Sequence, residues 1–396
     1  MTPAERTQWT CERARAMGLD LCGIAQPEAM AEDLRQFSEW LARGYAGEMR
    51  YLGDPRRTDP QLVLPGARSL IVVALNYNSA EPHSTECARS VGYESPRGWI
   101  SRYAWGDDYH EVMGEKLETL LAAMRERFEQ PWEAKAYVDT GPILERVAAK
   151  HAGLGWQGKN TCLISEELGS WLFLGVIVTT LELAPTLSMN GLPPADLCGN
   201  CTLCLEACPT QAFAAPYVLD SRRCISYLTI ELRSAIPEQL RADLGRAVFG
   251  CDICQDVCPW NRKAPVRAIP AFEPRQLATP QVLDSEEKCS WAGESALTDS
   301  PPQVSTRLPD LAGLATLSKE AFSEAFRHSA VKRAKWRGLV RNACVALGNS
   351  DLERGSPSYA RVIAVLENLA GSDDPLIREH AGWALRSVRR REAPNS

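Results

Sequence analysis

Cys198-Gly-Asn-Cys201-Thr-Leu-Cys204-Leu-Glu-Ala-Cys208-Pro209 is the stretch on which the reading of this chain turns. Its spacing, Cys-x2-Cys-x2-Cys-x3-Cys-Pro, is the run with which bacterial two-cluster ferredoxins bind iron and sulfide. Three thiolates on a tight loop reach three irons of one cubane. The fourth, set further off before proline, turns toward a second cubane. The partner run is Cys251-x2-Cys254-x3-Cys258-Pro259, and Cys224, between the two runs, supplies the ligand the second run lacks. The handover rule assigns Cys198, Cys201, Cys204 and Cys258 to one [4Fe–4S] cluster, and Cys208, Cys224, Cys251 and Cys254 to the other. Two zinc sites are the alternative, but zinc ribbons use Cys-x2-Cys pairs rather than a triple ending in Cys-Pro. The scattered remainder, Cys11, Cys22, Cys87, Cys162, Cys289 and Cys344, reads as small buried hydrophobes or surface thiols.

The rest of the chain is ordinary in bulk. Its 396 residues are 45% hydrophobic and 24% charged, enough for two or three domains with a sizeable core. A net charge of −6 argues against a generally basic nucleic-acid binder while leaving room for a local patch. The N-terminus lacks the apolar core of a signal peptide, and the longest apolar run, Trp171 to Thr180, is too short to span a membrane. Fourteen cysteines without an export signal point to a reducing compartment, and a cytoplasmic location is expected.

Residues 1 to about 60 read as helices broken by Gly and Pro, with helical spacing from Glu28 to Arg43 at Met30, Leu34, Phe37, Trp40 and Leu41. Ser69 to Leu75 is a continuous apolar run suited to a central strand. Asp108 to Phe128 reads as an amphipathic helix, and Ala134 to Val138 as a strand ending at Asp139. Pro142 suits the first turn of a helix from Ile143 to Ala152. A glycine segment follows, and then a strand from Trp171 to Thr179. This alternation gives an α/β domain over 1–195, followed by the cysteine module over 196–262. Residues 263–317 read as linker and irregular surface. Residues 318–391 read as wholly helical, and Ala343, Ala346 and Leu347 recur 38 residues later as Ala381, Ala384 and Leu385. That period fits paired helices of a HEAT-type array.

Two clusters make a wire, and a wire needs a destination. Asp139, at a strand end before a helix, is either a helix cap or a general acid whose pKa burial against a cofactor would raise. Gly153, Gly155 and Gly158 match Gly-x-Gly-x-x-Gly but follow a helix rather than a strand. They read instead as places where backbone approaches a flat ligand. Asp108-Tyr-His-Glu-Val-Met-Gly114 is one residue out of step with a cobalt-ligating histidine motif, so His110 reads as a polar helix residue.

Several stretches together resemble the epoxyqueuosine reductases, cobalamin-dependent iron–sulfur enzymes of tRNA queuosine biosynthesis. They are Leu64-Pro-Gly-Ala-Arg-Ser-Leu70, Ser101-Arg-Tyr-Ala104 with Asp108-Tyr-His110, Asp139-Thr-Gly-Pro-Ile-Leu-Glu-Arg146 and Gly153-Leu-Gly-Trp-Gln-Gly-Lys-Asn160. The eight cysteines, Val331-Lys-Arg333, Gly338 to Ala343 and Ala346-Leu-Gly-Asn349 complete the set. The resemblance implies a nitroreductase-like cobalamin domain, a two-cluster ferredoxin-like module and an all-α HEAT-like domain that binds tRNA. It implies Asp139 as proton donor in reducing epoxyqueuosine to queuosine at the wobble position. It places Arg57, Arg102, Gly158, Lys159, Asn160 and Ser226 at cobalamin or substrate. A monomer served by an external low-potential electron donor is expected. The chain departs from the family at Asp107, where a basic residue is common, and over 280–310, which look longer and more acidic.

Charge supports the tRNA expectation. Lys319 to Glu392 holds fourteen Lys/Arg and nine Asp/Glu, so +5, leaving −11 for the remainder. Ala325 to Ser350 has no acid, and its Lys332, Arg333, Lys335, Arg337 and Arg341 form the expected phosphate-binding set. Two rival readings are a reductive dehalogenase-like reductase of a small molecule and a ferredoxin-like electron carrier. The first usually carries an export signal. The second leaves Asp139 without a role.

Overall fold

The computed structural model describes residues 1–82, 96–187, 194–278 and 303–390. The chain packs as two units. The first is Met1–Glu81, Asp107–Glu231 and Asp252–Phe272; the second is Pro82–Gly106, Leu232–Cys251 and Glu273–Ser396. Among the described residues no helix is long and apolar enough to cross a membrane.

The first unit is built on helices α1 (Pro3–Ala16), α2 (Ala31–Ala42), α3 (Tyr109–Arg127) and α4 (Glu145–His151). Its strands are β1 (Leu21–Ala25), β2 (Ser69–Asn76), β3 (Ala134–Tyr137), β4 (Trp156–Gln157), β5 (Leu163–Ile164) and β6 (Leu172–Thr179). Four of the strands form a sheet in the order β1-β2-β6-β3, and every pair in it is antiparallel. The expected strands are present, but the sheet is not the parallel kind whose ligands collect at carboxyl ends of strands. Every residue of β2 is buried because both faces are covered. Leu70, Val72 and Ala74 pack with Ala148, Ala149 and Ala152 around α4. Val73 pairs with Gly175, and a Cβ at Gly175 would meet Leu117 and Met113 of α3, so the alternate side chains face α3. Asp108 caps α3 by accepting from His110 N–H.

The second unit contains a short parallel pair, Trp99–Ile100 with Ala247–Phe249, and helices α5 (Leu311–Ala315), α6 (Lys319–Ala325), α7 (Lys335–Gly348), α8 (Pro357–Ala370) and α9 (Pro375–Arg390). The recurring Ala343, Ala346, Leu347 and Ala381, Ala384, Leu385 are all buried. They are small because α7 and α9 nearly touch: a Cβ at Gly348 would sit 2.8 Å from Ala384 Cα. Within the stretch read as linker, Gln276–Ala278 pairs with Gln303–Ser305, and α5 follows. Most of the acidic 280–310 segment lies outside the described residues.

Candidate active site and cluster loops

β3 delivers the chain to Asp139, which adopts φ +54°. Aspartate tolerates this left-handed region better than most residues, and the turn lifts its side chain clear of the strand. The carboxyl is 66% exposed. Its Oδ2 accepts a hydrogen bond from Tyr109 Oη at 2.9 Å, and His110 Nε2 stands 3.6 Å away. On its other side, His110 Nδ1 donates to Asp108 Oδ1 at 2.6 Å. The first turn of α3 therefore brings a phenol and an imidazole to Asp139 together. The Tyr109 ring stacks on Phe173 of β6 at 4.5 Å, and Phe173 stacks in turn on Tyr77 at 4.3 Å.

Asp139 is not a helix cap. α4 begins at Glu145 behind Leu144, with no side-chain cap, so the general-acid alternative stands. His110 is more than a polar helix residue. Burial works against its charge, but hydrogen bonds and attraction from Asp108 and Asp139 outweigh that and push its pKa up to about 9. Burial likewise opposes ionisation of Asp108, yet the bonds from His110 bring its carboxyl below the usual range. Glu145, in the first turn of α4, is pushed up to about 8 by burial and by the charge of Asp139, against the pull of Arg57 and Arg146. At neutral pH the group thus holds a cationic His110, an anionic Asp108 and a largely neutral Glu145.

Cys198, Cys201, Cys204 and Cys258, the four assigned to one cluster, lie near enough to act on one another's charge. Burial and the neighbouring Cys258, Cys198 and Cys201 push Cys204 up to about 11. Four thiolates so placed repel one another unless cations lie between them, which is what the irons of a cubane provide. Each loop also aims donors at sulfur. Lys159 N–H points at Cys198, Trp260 and Asn261 N–H at Cys258, and Tyr227 and Ser226 N–H at Cys224. Ala212 N–H donates to Cys208 Sγ at 3.3 Å. The buried Trp156 indole N–H lies beside Cys198 Sγ and has no nitrogen or oxygen acceptor, as suits a donor to a cluster thiolate. Trp156, Ile164 and Trp260 pack around Cys198 and Cys258 in an apolar shell. The residues present fit [4Fe–4S] clusters. Cys251 closes the segment that belongs to the second unit.

Several residues expected at cobalamin are occupied elsewhere. Lys159 Nζ donates to the carbonyls of Gly199 and Cys201, at 2.6 and 3.0 Å. Asn160 Nδ2 donates to Cys254 O at 3.3 Å. Ser226 directs its hydroxyl as well as its N–H at Cys224. These three brace the cluster loops. Arg57 is buried, with its guanidinium on the carbonyls of Tyr51 and Ile143. Arg102 belongs to the second unit, where it is buried with its guanidinium over the Trp105 ring. The glycines are also corrected. A Cβ at Gly155 would strike Ile164 O at 2.1 Å and one at Gly158 would meet Ile164 Cδ1 at 2.5 Å, so they admit the chain's own β5 strand rather than a flat ligand.

In the second unit, Lys332, Arg333 and Lys335 are exposed before and at the start of α7, and Arg337 is exposed while paired with Asp374 at 2.6 Å. Arg341 leaves the phosphate-binding set. It is 1% exposed and donates to Leu232 O, Ser234 O and Asn342 Oδ1. Neighbouring Asn342 donates to Val248 O, so this end of α7 is a buried polar anchor.

An acid–base group on an open face, in one chain with loops built for two cubanes, defines an iron–sulfur oxidoreductase. Residues 197–261 match the 4Fe-4S double cluster binding domain, and residues 57–140 match the family described as Epoxyqueuosine reductase QueG, DUF1730. An epoxyqueuosine reductase of Gloeobacter violaceus is 43% identical over 341 residues, covering 85% of this chain and 94% of the relative. Another, from Pseudomonas aeruginosa, is 36% identical over 386 residues, covering 97% and 95%. The chain belongs to the epoxyqueuosine reductase family. Among solved structures, an epoxyqueuosine reductase crystallised with an epoxyqueuosine-modified tRNA-Tyr stem loop is similar at TM-score 0.79 and 28% identity, covering 98% of this chain and 91% of that one. The Bacillus subtilis enzyme, with its catalytic aspartate loop swung out of the active site, gives TM-score 0.73 at 26% identity, covering 98% and 100%.

Proposed function

We propose that this protein reduces epoxyqueuosine to queuosine at the wobble position of a tRNA anticodon. The observation that carries this reading is the Asp108–His110–Asp139–Tyr109 chain on an open strand end, in a protein whose relatives along nearly its whole length bear that activity's name. Removing an epoxide oxygen as water and leaving an alkene consumes two electrons and two protons. When bound, the two [4Fe–4S] clusters supply single electrons and cobalamin supplies a cobalt centre that accumulates reducing power for the epoxide carbon.

The chain's own residues hold and move the protons. Asp139 Oδ2 passes protons to the opening oxygen, with the Tyr109 hydroxyl fixing the carboxyl's orientation. His110, charged below about pH 9, holds the first of them 3.6 Å from Asp139, and the exposed Asp139 takes the second from solvent. Asp108 keeps the imidazole turned toward Asp139. A protonated Glu145 adds no second negative charge beside Asp139.

The fit to cobalamin rests on this open face. Both ring nitrogens of His110 are turned to carboxylates, so it offers cobalt no ligand and stays free for proton transfer. In this reading Asp139 and Tyr109 would hold cobalamin on this face. Arg102 is retained as a contact through the resemblance alone. Lys332, Arg333, Lys335 and Arg337 hold tRNA phosphates. A ferredoxin-like carrier would leave the Asp139 group idle, and the family relationship removes the dehalogenase-like alternative. The test is to incubate reduced, cobalamin-loaded protein with epoxyqueuosine-containing tRNA and digest the product to nucleosides. A modified nucleoside lighter by one oxygen is expected. Unchanged epoxyqueuosine, with both clusters present and reduced, would count against the reading.

A further inference from the structure

Leu197, Leu203 and Tyr217 are 42%, 40% and 38% exposed, three of the seven large hydrophobic side chains left in solvent among the described residues. Leu197 precedes Cys198 and Leu203 precedes Cys204, so two of the three sit on the first cluster loop. Tyr217 reaches that loop from the turn of a hairpin, Phe213–Ala215 with Val218–Leu219. Its N–H donates to Lys159 O at 3.0 Å, and its hydroxyl donates to Asp196 Oδ2. Asp196 Oδ1 accepts from Cys198 N–H at 2.8 Å, while Lys159 Nζ holds Gly199 O and Cys201 O. Tyr217 stands at φ +68°, a region a tyrosine occupies only where its neighbours hold it there. A costly turn and a bonded phenol are thus spent on a ring left at the surface of the cluster loop.

The rim of this face is acidic. Asp196 and Glu206 are exposed on the loop itself. Glu12, Glu166 and Glu167 line the cavity that Leu197 borders, against one arginine, Arg15. Acids so placed repel the phosphates of tRNA. An apolar centre within a charged rim is the make-up of a small, transient protein contact, in which the rim sets the encounter rate. We propose that this face docks a protein electron carrier whose redox group is ringed by lysine and arginine. The carrier exchanges electrons there with the cluster assigned to Cys198, Cys201, Cys204 and Cys258. One electron leaves the carrier's reduced group and takes the cluster from its oxidised to its reduced state, with no bond made or broken. Every residue of the face belongs to the first unit. The inference rests on the double-cluster domain and not on the epoxide reading, so its test uses no tRNA.

The test runs electrons outward through the same contact. The anaerobic holoprotein is reduced, freed of reductant and mixed in a stopped flow with ferricytochrome c, whose haem edge is ringed by lysines. The rate of cytochrome c reduction should fall as salt is added, and Glu206→Gln should flatten that fall. Leu197→Ser and Leu203→Ser should each slow the reaction about tenfold. Both should keep wild-type iron and be oxidised at the wild-type rate by benzoquinone, a small molecule that needs no docking face. Leu62→Ser, at another exposed apolar side chain of the same unit, should match wild type. Unchanged cytochrome c rates in both leucine variants would overturn the proposal, and so would a rate that does not fall with salt. Equal slowing with benzoquinone would mean a disturbed cluster and overturn it. So would a wild-type dimer that Leu203→Ser dissociates in sedimentation, because a second copy would then cover the face. If Leu203→Ser loses iron, Leu203→Gln makes the same comparison.

Discussion

Replacing His110 with Gln tests the proton chain at its hinge. Glutamine keeps a polar contact to Asp108 but cannot carry charge. His110 has a pKa of about 9 in the fold against 6.5 as an ordinary histidine, so the folded state binds its proton more tightly. The stabilisation is therefore complete below about pH 6.5 and disappears as pH rises through about 9. A shift of that size corresponds to about 3 kcal/mol at most. Asp139 is 66% exposed, and solvent screening on that side brings the expected value to about 1–2 kcal/mol. The assay is urea unfolding of wild type and His110→Gln at a series of pH values from 6 to 10. The wild type should exceed the variant by about 1–2 kcal/mol at pH 6, with the gap closing by about pH 10. A gap that stays constant across the series would refute the reasoning, because it would show that His110 contributes packing but no charge.

Other outcomes follow from the same geometry. Arg341→Met should strand the buried acceptors Leu232 O and Asn342 Oδ1 and destabilise the protein by about 2–3 kcal/mol in thermal unfolding, while leaving the salt dependence of tRNA binding at low temperature unchanged. Lys332→Ala and Lys335→Ala should each weaken tRNA binding and flatten its log–log salt slope by about 1, measured by filter binding at several salt concentrations. Glu145 binds its proton more tightly folded than unfolded, so it costs stability increasingly as pH rises above its usual carboxyl range and up through about 8. Glu145→Gln should accordingly flatten the fall in stability between about pH 4.5 and 8, read by urea unfolding across that range.

The cysteine spacing was sufficient to read the cluster loops, because each cubane takes at least two of its ligands from one short run. Helix and strand positions were legible for the same local reason: α3 and β2 lie where their apolar patterns put them. Strand direction was not, since a buried antiparallel strand and a parallel one share the same continuous apolar run when both faces are covered. The glycine segment told that something comes close to the backbone at 155 and 158 but not that the something is Ile164. Lys159, Asn160 and Ser226 were expected at a cofactor because nothing in their spacing reveals which loop a polar side chain will reach. His110 was undervalued for a related reason. Its partner Asp139 is 29 residues away, and only the packing of α3 against β6 beside β3 brings them together. Arg341 shows the limit of charge counting. A run without acids looks like a phosphate footprint, yet burial in α7 turns one of its arginines inward.

The central claim is that Asp139 supplies the protons for epoxide reduction in tRNA. A single-turnover reaction of Asp139→Asn with epoxyqueuosine-containing tRNA, clusters and cobalamin loaded as in wild type, tests it most directly. The account predicts normal cluster spectra and cobalamin binding with no queuosine formed, and queuosine appearing at the wild-type rate would contradict it.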